Sequence, residues 1–411
     1  MDDIKRLACD TIDKEKDNLF QLSQDIWHHK ELAYKEHKSH ETLTLFLEKR
    51  GFRVERHCIT ETAFIARYEN HSSTTDTRSG STEGGAEVRQ NPLHVAVLCE
   101  YDALPEVGHA CGHNLIAEIG VAAGLGIKSA MEVAGIAGKL SVIGTPAEEG
   151  GGGKIDLIKA GVFDDVDFAM MSHPAPFTDA APAFLGTRRS VLRYHGRASH
   201  AAGFPWEGVN ALDAAVLAYV NISALRQQLQ PAWRVHAIIP KGGVKTNIIP
   251  DETELAVQVR APRDSELDEL ERKVKQCCTS AAASTGCTYD VTDSEKPYSS
   301  LITNNTLGKL YRSNGSLVGV EFPPISTKQV LGSTDMGNLS HVVPALHPTY
   351  YCGTEAFNHT HEFAQAAGSP EAQSYTIAQG KALALVALDV LQKPELALQM
   401  KQDFELDLQS Q

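Results

Sequence analysis

The feature that most constrains the fold is a β-α-β succession in the first half of the chain. HVAVLCEYDALP opens on an apolar run and ends in acid and proline, NLIAEIGVAAGLGIKSAME has helical length, and GKLSVIGTPAEEG reads as a strand again. Two strands joined by such a crossover lie parallel in one sheet, with a right-handed connection. Open sheets of this kind gather their chemistry beyond the carboxyl ends of the strands. Polar clusters fall there: Asp102 after the first strand, Glu148 and Glu149 after the second, His173 after VDFAMMSHP. The expected class is α/β, with a mixed, largely parallel sheet flanked by helices.

A chain of 411 residues exceeds one ordinary core and divides into two domains. Its first fifty residues are helical in pattern, with Leu43, Phe46 and Leu47 on one stripe and Gly51 at a helix stop. Asn70 to Asn91 is polar and low in complexity, a surface insertion between two strands. From about Arg188 to Glu295 the texture changes. SVLRYHGRA, WRVHAIIPKGG and ELAVQVRAP read as strands separated by helical stretches, which predicts an inserted α+β domain. The expected division is 1–187 and 298–411 for one domain and 188–297 for the insert. EAQSYTIAQGKALALVALDVLQ closes the chain with a helix.

A formal charge of −14 argues against a nucleic-acid or anionic-membrane partner, which needs a basic surface to displace counterions. Eight cysteines, two of them adjacent at Cys277 and Cys278, do not form a disulfide framework in a chain this long. MDDIKRLACD lacks the apolar run of a leader, and no segment reaches the ~18 apolar residues of a membrane helix. The expected location is cytoplasmic.

LPEVGHACGHNLIAE sets Cys111 and His113 two residues apart in a glycine-containing turn. Thiolate and imidazole are preferred ligands of zinc and its neighbours, so both side chains could reach one metal ion. A structural knuckle, a catalytic metal site and a packing accident all remain open on this pair alone. GTPAEEGGGG changes the balance, because adjacent carboxylates at a strand end are costly without a cation or a catalytic task. One can ligate while the other takes the proton of a water acidified by the metal. His173 and His359 add imidazoles from separate strand ends, giving enough donors for two ions. A structural zinc site would close with four ligands and need no spare carboxylate.

The ordered stretches EYDALPEVGHACGHN, GTPAEEGGGG, MMSHP, GRASHAAGFPWEGVNALDA, GGVKTNIIPDETELAVQVRAP and NHTHEFA resemble the amidohydrolase branch of the aminoacylase and carboxypeptidase G2-like two-metal hydrolases. Within it the chain is similar to the aminoacylase-1-like dipeptidases, also called Xaa-Arg or β-alanyl-lysine dipeptidases. The resemblance spans nearly the whole chain apart from the polar insertion. It implies Cys111, His113, Glu149, His173 and His359 as metal ligands, Glu148 as general base and Asp102 as support of the metal site. It implies that His200, in ASHAAGFP, is lent across a dimer interface to polarise the scissile carbonyl, where an oxyanion must be met by a placed donor. Asn247 and Arg260 match residues near the substrate's amide and carboxylate, and a guanidinium fork suits the latter. The insert becomes a lid and dimerisation domain.

Better-known members carry histidine where this chain has Glu100, which favours the cysteine-containing ligand set. His361 rivals His359, and only the pattern NHT separates them. His109, His195, His236, His341 and His347 carry no assigned role.

The resulting expectation is a homodimeric metallopeptidase with two divalent ions, zinc or manganese with cobalt also suitable. It would hydrolyse dipeptides that end in Lys, Orn or Arg. Rival readings are an N-acyl amino acid amidohydrolase, an amide-forming biosynthetic member and a silent metal-binding scaffold; Glu148 and His200 argue against the last.

Overall fold

Strand β3 (His94–Cys99) is apolar after its first residue and buried along its whole length, as a central parallel strand must be. The structure, a computed structural model, describes residues 1–71, 92–323 and 330–411. Most of the polar insertion expected at Asn70–Asn91 lies outside these residues. Before β3 come the helices α1 (Asp3–His29) and α2 (His37–Glu48) and the strands β1 (Arg53–Arg56) and β2 (Phe64–Asn70). After it follow α3 (His113–Ala134), β4 (Gly138–Gly144), α4 (Gly153–Lys159), β5 (Phe168–Met170) and β6 (His173–Ala175). The chain continues through β7 (Ala183–Phe184), β8 (Gly186–His195), α5 (Ala211–Leu225), β9 (Arg234–Lys241), β10 (Glu252–Ala261), α6 (Asp264–Thr285) and β11 (Thr288–Asp293). Later strands are β12 (Val330–Leu331), β13 (Ala345–Leu346) and β14 (Thr349–Tyr351).

Two compact units result. The first holds Met1–Pro182, Ile302–Gln329 and Leu339–Ser410, the second Ala183–Leu301, Val330–Asn338 and Gln411. In the first, a six-stranded sheet runs β1-β2-β4-β3-β5-β13. The pairs β3/β4, β3/β5 and β5/β13 are parallel, whereas β1/β2 and β2/β4 are antiparallel. This is the mixed, largely parallel sheet expected. β6 and β14 form a separate parallel pair.

Helix α3 makes the crossover from β3 to β4 and is buried on nearly every side, so it reads as a continuous apolar run. It lies so close to the sheet that a Cβ at Gly120 would sit 2.6 Å from the Cys99 sulfur and 2.6 Å from the Leu98 carbonyl oxygen. In α2, Leu43 and Leu47 are fully buried, and Gly51 follows the helix at φ +80°. The expected C-terminal helix is Ala372–Gln392. A second one, Pro394–Gln409, begins directly after Lys393, with proline at its first position, where a missing N–H costs nothing.

The second unit is an antiparallel sheet ordered β11-β8-β10-β9. On β10 alternate residues from Leu255 to Ala261 are buried, forming one core with residues of α5 and α6. This is the α+β insert in its expected form, with two helices on one face of a four-stranded sheet.

Candidate metal centre

The carboxyl ends of β3 and β4, the start of α3, the start of β6 and the loop after β14 converge in the first unit. Asp102 leaves the end of β3 and is buried. Its Oδ1 lies 2.8 Å from His113 Nδ1, and its Oδ2 accepts the Glu149 N–H at 3.0 Å. His113 opens α3, after Gly112 at φ +77°. With Nδ1 held by Asp102, the ring presents Nε2 to the cluster. That buried atom makes no hydrogen bond among the described residues and faces Glu100 Oε2 at 3.5 Å and Glu148 Oε2 at 3.9 Å.

Cys111 Sγ lies 3.4 Å from His173 Nε2, and the other nitrogen of His173 is 2.8 Å from the Pro174 carbonyl. His359 Nε2 lies 3.2 Å from Glu149 Oε1. The NHT motif has a physical reading. Asn358 donates to the Pro174 carbonyl at 3.1 Å, His359 at φ 69° donates its N–H to the Ala110 carbonyl at 2.8 Å, and Thr360 caps the helix His361–Ala367. His359, itself exposed, is thereby tied to the cysteine and histidine segments, while His361 opens the helix that follows.

Donor atoms approach within 4.8 Å of one another in three groups: Cys111, His113 and His173; Cys111, Glu149 and His359; His113, Glu148 and Glu149. Cys111, His113 and Glu149 each belong to two of them, so the three groups form one connected set of donors. The set of thiolate, imidazoles and carboxylate, together with the buried Nε2 of His113, fits a pair of divalent cations.

The electrostatics agree. Burial disfavours charge on His113, yet the Asp102 carboxylate outweighs it and raises the imidazole well above the ordinary histidine range. Burial, reinforced by the Glu149 charge, pushes the Cys111 thiol well above its usual value. Burial takes His173 down to about 4. Asp102 and Glu149 are held below the ordinary carboxylate range, burial being outweighed by His113 and by the His359 hydrogen bond respectively. Ions binding here must displace protons from Cys111 and His113, so affinity rises with pH.

Three neighbours make contacts that the sequence does not reveal. Glu100 and Lys154 form an ion pair with both side chains fully buried. His347 is buried and stacks on His173 with centroids 5.6 Å apart. A lysine directly after four glycines was the available hint; its pairing needed the fold. His109 bonds the Ile26 carbonyl at 3.0 Å and His195 pairs with Asp290, both structural tasks.

In the second unit His200 is exposed, and its Nδ1 accepts the N–H groups of Ala202 and Gly203 at 3.2 and 3.0 Å. In the neutral ring the proton therefore sits on Nε2, leaving a free donor. Asn247 is adjacent, its carbonyl accepting the Ala201 N–H at 3.0 Å. Arg260, on β10, donates to Ser333 at 2.9 Å and is partly buried.

Residues 186–286 match the peptidase dimerisation domain of M20 enzymes. Over 418 residues, covering 99% of this chain and 94% of the relative, the mouse Xaa-Arg dipeptidase is 48% identical. The chain belongs to the M20 peptidase family. The human Xaa-Arg dipeptidase is 46% identical over 421 residues, covering 99% of this chain and 93% of its own length. The M20 fold is also that of the Bacillus subtilis YXEP protein, a dinuclear metal-binding peptidase. That structure has a TM-score of 0.65 at 19% identity and covers 92% of this chain and 99% of its own.

Proposed function

We propose that this M20 chain is a metal-dependent dipeptidase that hydrolyses the amide bond of dipeptides ending in a basic residue. One observation carries the reading: Glu148 stands within reach of the ligand atoms of His113 and Glu149 as a carboxylate beyond those the two Cys111 triads use. A structural site needs no such group; a hydrolytic one does. The basic leaving residue, Arg, Lys or Orn, is drawn from the Xaa-Arg dipeptidases that the chain matches along nearly its full length.

Cys111, His113, Glu149, His173 and His359 would hold two divalent ions, zinc or manganese, with cobalt also suited. Bound there, the ions supply Lewis acidity toward the scissile carbonyl and toward the attacking water. Glu148 takes the water's proton and returns it to the leaving amine. Asp102 fixes the ring of His113. As the family resemblance implies, His200 would be lent across a dimer interface to meet the developing oxyanion, and Asn247 and Arg260 would receive the substrate's amide and carboxylate.

A homodimer accords with the dimerisation domain. Segment 188–297 would serve as lid and interface, and its unit exposes Val216, Leu217, Tyr219 and Val220 on α5 and Ile238 on the edge strand β9. A cytoplasmic location is supported by eight free thiols. Among the described residues no helix is long and apolar enough to cross a membrane.

The test is release of free amino acids from dipeptides and N-acyl amino acids, each with zinc, manganese or a chelator. Metal-dependent release of C-terminal Arg, Lys or Orn supports the dipeptidase reading. Release from acylated substrates alone would replace it with an aminoacylase.

A further inference from the structure

The turn that carries Glu148 and Glu149 is tied down on both sides of Glu148. Behind it, the Glu149 N–H is held by Asp102. Ahead of it, the buried Ala147 N–H donates to Glu36 Oε1 at 2.9 Å. Ala147 needs that anchor, because it holds φ +60°, a left-handed conformation an alanine rarely adopts. Its carbonyl accepts the N–H groups of Gly151 and Gly152 at 3.1 and 2.8 Å, so the conformation of this one residue shapes the whole turn.

Glu36 is itself fixed. Fully buried, it accepts the Thr62 hydroxyl at 2.7 Å on Oε2 and the Tyr34 N–H at 3.0 Å on Oε1. Tyr34 adds a second tie, its hydroxyl lying 2.8 Å from the Gly151 carbonyl oxygen and 2.6 Å from Asp156 Oδ2. The turn is fitted to this contact: a Cβ at Gly151 would sit 2.6 Å from the Ala147 Cβ and 2.7 Å from the Tyr34 ring. Just upstream, the Glu31 carbonyl accepts the Ala103 N–H at 2.7 Å and so braces the loop bearing Asp102.

We propose that Glu36 is a positioning residue for the hydrolytic reaction, resting on the peptidase reading above. Its carboxylate holds Ala147 in the left-handed conformation that aims Glu148 and Glu149 at the ion site. Glu36 belongs to none of the three donor groups; it acts through the turn. The remainder of segment 31–36 ties the same turn and the Asp102 loop to one rigid support.

The experiment compares wild type, Glu36→Ala, Glu36→Gln and Tyr34→Phe, each loaded with cobalt(II), by absorption spectrum, metal content and steady-state kinetics on dipeptides. Misplacing a catalytic group by a fraction of its reach is expected to lower kcat of Glu36→Ala by ~10²-fold, with KM little changed. Its cobalt d–d bands should shift with Glu149, while the Cys111 thiolate charge-transfer band persists. Glu36→Gln keeps an acceptor for Ala147, and Thr62 can turn to accept from the new amide, so it should recover most of the loss. Tyr34→Phe removes only the outer tie and should lose less than Glu36→Ala. If Glu36→Ala does not fold, the glutamine and Tyr34→Phe variants carry the same comparison. Wild-type kcat and an unshifted d–d spectrum per cobalt-loaded chain, with only melting temperature lowered, would overturn the proposal. Should wild type cleave no dipeptide, the peptidase reading fails separately. The cobalt spectra then still decide: a shift on loss of the carboxylate supports the brace, and an unchanged spectrum overturns it.

Discussion

Asp102 and His113 meet at 2.8 Å between Oδ1 and Nδ1, with both side chains fully out of water. The carboxylate fixes which imidazole nitrogen faces the cluster and favours the ring's cationic form until an ion takes its place. Asp102→Asn keeps the shape and removes the charge. Its affinity for the more weakly held divalent ion should fall by ~10–100-fold, read by titration against a chromophoric chelator. Unchanged affinity would mean that the pairing is only structural.

Cys111 stands in two donor groups, so its loss should disturb both ions. Cys111→Ser is expected to abolish the thiolate charge-transfer band of the cobalt-loaded protein and to reduce its metal content below that of wild type. A variant that binds as much zinc as before would show that the sulfur is not a ligand.

Lys154 neutralises Glu100 where neither reaches solvent. Lys154→Met strands a buried charge and should destabilise the protein by ~3–5 kcal/mol in denaturant melts. Adding Glu100→Gln should restore part of that loss. A double variant weaker than the single one by the full additive amount would deny the coupling.

Glu118, on α3, accepts a hydrogen bond from Gln373 at 2.7 Å, and burial pushes its carboxyl from 4.5 up to about 8. A raised carboxyl favours the folded state in its protonated form. That contribution is complete below 4.5 and is lost as pH rises through about 8. Melting temperature should therefore decline across this window in wild type and decline less in Glu118→Gln, measured by calorimetry at fixed metal loading. Parallel curves would contradict it.

Much of the fold was legible because β3 and α3 are buried on nearly all sides, and continuous apolar runs of strand and helix length leave few alternatives. The strand-end carboxylates were legible for the same reason: charge beside an apolar run marks where a strand stops. What stayed hidden depends on contacts between distant segments. Lys154 looks like a helix residue until Glu100 is placed beside it. Glu36 sits 111 residues from Ala147, and no periodicity connects them. His359 and His361 are the same by type, and the pattern NHT that separates them in the sequence has its physical reason, the Ala110 carbonyl and Asn358, only in the folded chain.

The most direct test of a two-ion hydrolytic centre is metal content by mass spectrometry alongside dipeptide turnover, on the same preparations of wild type and Glu148→Gln. The expected result is two ions per chain in both, with turnover of the variant reduced by ~10²–10⁴-fold. Retained turnover in Glu148→Gln, or a single ion in fully active wild type, would contradict it.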